Sequence, residues 1–191
     1  NAWQSSTAKT WCNNFYGSSF SNGEQGAVLA TTKSDEALST GGISFAASEN
    51  ILNGDKVFFL SAAEAENSAY GFTDDNARIA NYGNSAGVWW LRSPYAIFTT
   101  YAGVVFGNGP VYAYVVSGVW AARPAFNLNL NSVLFTSAAV DGKPDGGLTP
   151  ISEYTGNEWK LTLLDNSRNF AVTEKTADAD PGDTVTLHYT G

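Results

Sequence analysis

Apolar and polar positions follow two different rhythms along this chain. In the first half the spacing is helical and local. Ser5-Ser6-Thr7 offers N-caps for a helix through Trp11 to Tyr16, with Trp11 and Phe15 four apart on one face. Ser21-Asn22-Gly23-Glu24 fits a capping box that opens a second helix through Val28 and Leu29. A further box, Ser61-Ala62-Ala63-Glu64, directly follows the strand-like run Lys56-Val57-Phe58-Phe59-Leu60, which gives Glu64 a structural task ahead of acid catalysis. From Val88 onward the period changes. Trp89-Trp90-Leu91 reads as a short strand ended by Ser93-Pro94, and 102–106, 110–116 and 125–130 read as further strands. Gly107-Asn108-Gly109 supplies a hairpin turn, and Val133 to Thr136 reads as a short closing strand.

Two or three short helices followed by an antiparallel sheet make the expected class α+β. This pattern fills residues 1–140. A polar linker follows over 141–150, with Asp141-Gly142-Lys143-Pro144-Asp145-Gly146-Gly147 at its centre. Residues 151–191 carry only strand patterns (158–164, 169–174 and 184–189) around a Pro181-Gly182-Asp183 turn. That is too little for a complete sandwich, so a partial immunoglobulin-like module or an appended sheet is expected. The chain starts at Asn1 and stops at Gly191 just after a strand-like run, as expected of a piece of something longer.

Charge narrows the function classes. The net charge is −8 and the pI near 4.4, so phosphate neutralisation and nucleic-acid binding are not expected. Cys12 and His188 are the only residues of their kinds, which rules out a disulfide framework, a nucleophile–histidine triad and a His-rich metal site. A buried helical thiol is the expected state of Cys12. The acidic pairs Glu64/Glu66 and Asp74/Asp75, with Asp141 and Asp145, suit capping and solvation, and none has the spacing of a calcium loop. No cofactor or metal is expected, no membrane-inserted segment is visible, and no oligomeric state is fixed. The expected protein is not an enzyme, although glycan hydrolysis by an Asp/Glu pair stands as a third reading.

The most informative stretch lies between Arg92 and Arg123, where thirty residues pass without a charged side chain. At the chain's charged fraction of 15%, about four would be expected there. The stretch is too rich in Gly, Pro and Tyr to span a bilayer, so it is either core or a surface that something binds. Alternation assigns about half of each strand to packing. The connector residues Tyr95, Ile97, Phe98, Thr100 and Tyr101 follow a proline and lack that period. Tyr-rich, charge-poor loops on a rigid scaffold are how binding surfaces gain contact area at low entropic cost. The candidate ligand-facing set is these five with Val105, Phe106, Asn108, Tyr112, Tyr114, Val116 and Trp120. Arg92 and Arg123, each next to a proline-bearing block, are expected to pair with a buried carboxylate or with backbone carbonyls.

Two blocks, Trp89-Trp90-Leu91-Arg92-Ser93-Pro94 and Ala122-Arg123-Pro124-Ala125-Phe126-Asn127-Leu128, resemble a family of domains in gut bacteria and their phages. With Trp11 to Tyr16 and Val57 to Ser61, the resemblance covers residues 1–140. That family is similar to the C-type-lectin-like fold, in the branch shared with formylglycine-generating enzymes. The enzyme of that branch uses paired cysteines, and with Cys12 alone the resemblance implies the fold without the activity. The branch also houses the variable proteins of diversity-generating retroelements, whose ligand-facing AAY codons are rewritten to NNY. Such codons never encode Lys, Glu, Gln, Met or Trp, and residues 95–119 contain none of these five. The resemblance therefore implies a ligand-binding domain on a bacterial cell surface or a phage virion. Its partner would be a protein or glycan on another cell or virion. A structural module of a large surface protein or phage fibre is the alternative.

Overall fold

The computed structural model describes residues 2–34, 37–140, 143–144, 155–156, 158–164, 171–172 and 189–190. Its first half runs α1 (Thr7–Ser19), α2 (Asn22–Ala27), β1 (Val28–Leu29), β2 (Thr31–Lys33), β3 (Leu38–Thr40), β4 (Ile43–Phe45), β5 (Leu52–Asp55) and β6 (Phe58–Phe59). Next come α3 (Ala62–Ala65), α4 (Asp75–Arg78), β7 (Ala80–Tyr82), β8 (Ser85–Gly87), β9 (Trp89–Pro94), β10 (Tyr101–Val105) and β11 (Val111–Val115). The remainder holds β12 (Pro124–Ala125), β13 (Asn127–Leu128), β14 (Val133–Val140), β15 (Lys143–Pro144), β16 (Trp159–Leu163), β17 (Ala171–Val172) and β18 (Tyr189–Thr190). Few helices and many short antiparallel strands make the class α+β.

Contacts divide the chain into two compact units. One comprises Asn1–Ser21 with Val28–Asn127, the other Asn22–Ala27 with Leu128–Gly191. The expected boundary at 140 thus falls inside the second unit. There β14 is the middle strand of a β15-β14-β16 sheet and pairs with β16 from Val133 to Ala138. The closing strand read as ending at Thr136 therefore runs on to Val140, because β16 offers it a partner along most of its length. Of the linker, only β15 lies among the described residues. Asp141, Asp145, the 181–183 turn and His188 lie outside them.

In the first unit, Ser6 caps α1 by accepting from Lys9 N–H at 3.0 Å. Ala8, Cys12, Phe15 and Tyr16 then turn one helical face toward a core of Trp3, Leu52, Val57, Phe58 and Phe59. Cys12 is buried, and burial first, with the Asp55 carboxylate second, pushes its thiol up to about 12. The second helix stops at Ala27 rather than reaching Leu29. Two glycines in six residues give it weak propensity, and Val28 and Leu29 leave it as a strand. A short α4 appears where the sequence reads as a polar loop. Asp74 nucleates it by accepting from Ala77 N–H at 2.9 Å.

The antiparallel sheet β11-β10-β9 carries the uncharged stretch. β9 continues through Ser93 and Pro94 instead of breaking there. A bulge opposite, between Ala102 and Val104, is a position where proline is tolerated, and the Pro94 carbonyl accepts from Ala46 N–H at 3.3 Å. On β11 the alternation is clean: Val111 and Ala113 enter the core, Tyr112 and Tyr114 face out. The central strand β10 is covered on both faces, so Val104 and Val105 are both buried. Phe45, Trp89, Leu91, Val105, Val111 and Ala113 form the second core of this unit, with Ala62 and Ala65 of α3.

Candidate functional site

Two buried polar knots fix the scaffold under the aromatic stretch. In the first, Ser61 and Glu64 form the reciprocal capping box expected from sequence, Ser61 N–H donating to Glu64 Oε2 at 2.8 Å and Glu64 N–H to Ser61 Oγ at 3.0 Å. The same carboxylate pairs with the fully buried Arg92 guanidinium and with Lys33 Nζ at 2.8 Å. Arg92 also donates to the Asn50 carbonyl and the Phe59 carbonyl, each at 2.8 Å. The expectation of a buried carboxylate and backbone carbonyls thus holds for Arg92. Arg123 meets it through a backbone carbonyl, donating from Nη1 to the Arg78 carbonyl at 3.4 Å, and its guanidinium also lies 4.7 Å from the Trp89 ring centroid and 5.5 Å from that of Phe72. In the second knot, Asp55 collects Trp3 Nε1 at 3.1 Å, Lys9 Nζ at 3.0 Å and Asn53 N–H at 2.7 Å.

These contacts make the scaffold acid-sensitive. Burial is the strongest influence on Glu64 and works to raise its pKa, but Arg92, Lys33 and the Ser61 N–H together outweigh it and hold the carboxyl down at about 2. A carboxyl lowered in the folded state contributes its full stabilisation above its unfolded pKa of about 4.3. That contribution is lost as pH falls toward the folded value. We expect urea midpoints to drop between pH 4.5 and 2 by an amount worth on the order of 3 kcal/mol, and Glu64→Gln to flatten that part of the profile. A wild-type profile already flat in this window would refute the assignment.

Three aromatic groupings stand on this frame. Tyr95, Phe98 and Tyr101 form a cluster on the β9–β10 connector, with ring centroids 5.6 to 6.3 Å apart. Tyr95 and Tyr101 are half-buried against the β-sheet core, whereas Ile97 is 68% exposed and Phe98 is also exposed. A second grouping forms a ladder on the outer face of the β10–β11 hairpin. Phe106 stacks on Tyr112 at 5.2 Å, Phe106 meets Tyr114 edge-on at 6.5 Å, and Tyr114 meets Trp120 edge-on at 5.4 Å. Tyr112, Tyr114 and Trp120 are 43%, 37% and 38% exposed. Asn108 is exposed at the hairpin tip. Val105 is the correction: at 0% exposure, between Trp89 and Val111 in register, it cannot meet a ligand.

The third grouping lines a cleft of about 680 Å³ where the start of α1 faces β9 and the segment after β11. Thr100, Val116 and Trp120 of the candidate set reach it, joined by Trp11, Trp90, Thr7 and Thr99, which the sequence reading did not select. One signal for Trp90 was present. In a strand, the neighbour of an inward Trp89 must point to the opposite face. The four-residue spacing of Trp11 and Phe15 predicts helix packing, and their stacking at 5.2 Å satisfies that role while leaving the Trp11 ring at the cleft wall. Among the described residues, Arg92 is the one charged residue in the lining, and its side chain is spent on the buried knot.

Among the described residues, the other acidic side chains singled out from sequence also have partners. Glu66 accepts from Thr40 Oγ1 at 3.1 Å, Asp74 caps α4, and Asp75 pairs with Arg78. Among the described residues no three His, Cys, Asp or Glu side chains gather where they could hold a metal ion, and no helix is long and apolar enough to cross a membrane.

Comparison with curated proteins and with solved structures finds no match. Residues 1–130, which include both Trp/Arg/Pro blocks, the cleft and the aromatic ladder, match the family described as Domain of unknown function (DUF6273), and the chain belongs to that family.

Proposed function

We propose that this chain is a non-enzymatic ligand-binding domain on a C-type-lectin-like scaffold, displayed on a bacterial cell surface or a phage virion and diversified by a retroelement. Its partner is a protein or glycan on another cell or virion. The observation that carries this reading is the aromatic ladder, Phe106, Tyr112 and Tyr114 on a hairpin whose inner face is locked in the core, joined by Trp120 from the segment after β11. Large amphipathic rings on a rigid element lose little entropy when they dock, and they are enriched among residues that dominate binding energy. The Glu64 carboxylate, buried and spent on Arg92 and Lys33, supports a binding role over hydrolysis there, since a catalytic acid or base needs a proton-transfer face left open to substrate.

Flow cytometry with labelled protein on intact gut-bacterial cells and purified phage particles tests this reading, with Tyr112→Ala/Tyr114→Ala beside the wild type. We expect wild-type protein to bind at least one cell or particle type. The double variant should lose about tenfold or more in affinity, and its Tm should stay within about 3 °C because both rings are outward. Wild-type protein that binds nothing on the panel, or a variant that melts early yet binds normally, would remove the proposal.

A further inference from the structure

The cleft differs from the ladder in the chemistry it offers. Two of the first unit's tryptophans are buried with their indole N–H groups satisfied: Trp3 donates to Asp55 at 3.1 Å and Trp89 to the Arg78 carbonyl at 3.2 Å. The other three, Trp11, Trp90 and Trp120, all line the cleft, and none of their N–H groups has an acceptor among the described residues. The hydroxyls of Thr7, Thr99 and Thr100, also in the lining, are likewise without a protein partner there. The lining therefore combines flat apolar ring surfaces with neutral single donors and donor–acceptor hydroxyls, and it presents no accessible charge.

A sugar ring has the complementary make-up, with C–H faces that cover an aromatic surface and a rim of hydroxyls that accept and donate. The chain's net charge of −8 disfavours an acidic saccharide, and the lack of a carboxylate in the lining leaves an amine without a partner. The volume, about 680 Å³, exceeds what one small polar molecule fills and lies within the range of ligand clefts. From these observations we infer that the Trp11–Trp90–Trp120 cleft binds a neutral oligosaccharide segment, with sugar faces against the indoles and sugar oxygens on their N–H groups. This names the ligand class within the proposed binding role and rests on that reading.

Gly118 offers a graded probe. A Cβ at this position would stand 2.6 Å from Trp120 Nε1 and 3.2 Å from the Val115 carbonyl oxygen, so Gly118→Ala must push the indole aside and crowds the end of β11 only slightly. The experiment follows the indole N–H resonances of ¹⁵N-labelled 191-residue chain during titration with maltohexaose, cellohexaose, chitohexaose and mannohexaose. The resonances of Trp11, Trp90 and Trp120 should shift with at least one of these probes, and that of Trp89, which lies outside the lining, should not. Trp120→Ala and Gly118→Ala should each weaken that probe about tenfold or more, with the resonance of the buried Trp89 unchanged as proof of folding. No shift with any of the four at about 20 mM overturns the inference. So does a shift produced only by decaproline or by tetramethylammonium, which would assign the cleft to a peptide or a cation. Loss of these shifts alongside retained, Tyr112/Tyr114-dependent binding to cells would sink the cleft assignment and leave the binding role standing.

Discussion

Replacing Arg92 by Met should cost about 3–5 kcal/mol, the range for removing one partner of a buried ion pair. Three separate losses contribute. Glu64 keeps its charge at neutral pH in a buried position, with Lys33 as its remaining cationic partner. The carbonyls of Asn50 and Phe59 lose the donors that reach them at 2.8 Å. The segment just before β5, together with β6 and β9, then loses a common anchor. We expect the Tm to fall by roughly 10–20 °C on the scaling for a domain of this size. Adding Glu64→Gln to the Met variant should recover part of the loss, since the amide still caps α3 through its oxygen but no longer strands a charge. A Met variant with the wild-type Tm would show that the knot contributes nothing.

Gly109→Ala should be nearly as damaging, by about 2–5 kcal/mol from strain and overlap together. Gly109 has φ +107°, where an L side chain is strained. A Cβ there would lie 2.7 Å from the Asp75 Cα and nearer still to the Asp75 carbonyl. Those atoms are backbone at the start of α4 and cannot swing away. Arg78 ties the same place by donating from Nε to the Gly109 carbonyl at 2.9 Å. The hairpin that carries Tyr112 and Tyr114 is thus pinned at its tip, and loosening it should cost ligand affinity along with stability. Gly17→Ala is the matched control. Its Cβ would meet nothing within 4 Å inside α1, so it should stabilise by about 0.5–1 kcal/mol. Urea unfolding of the two variants beside wild type measures both effects, and equal midpoints for the Gly109 and Gly17 variants would contradict the argument.

Features governed by local spacing were legible in the sequence. The Ser61–Glu64 box, the α1 cap, the β10–β11 hairpin and the in–out alternation of Val111 to Val115 each depend on neighbours within a few residues. Features governed by distant partners were not. Val105 falls in the ligand-facing set by alternation, and it is buried because β10 is covered on both faces, a property of the strands around it. Pro94 read as a breaker because the compensating bulge lies on another strand. The cleft brings Trp11 to Trp90 and Trp120 across about 80 and about 110 residues of chain, and no periodicity encodes such a meeting.

That the outward side of the 95–120 segment meets a ligand is tested most directly by sequencing this locus across close relatives and counting replacements at each position. The account predicts that replacements gather at Ile97, Phe98, Tyr112, Tyr114 and Val116 while sparing Val104, Val105, Val111 and Ala113 beneath them. Replacements spread evenly over residues 1–130, or as frequent at Val105 as at Tyr112, would contradict it.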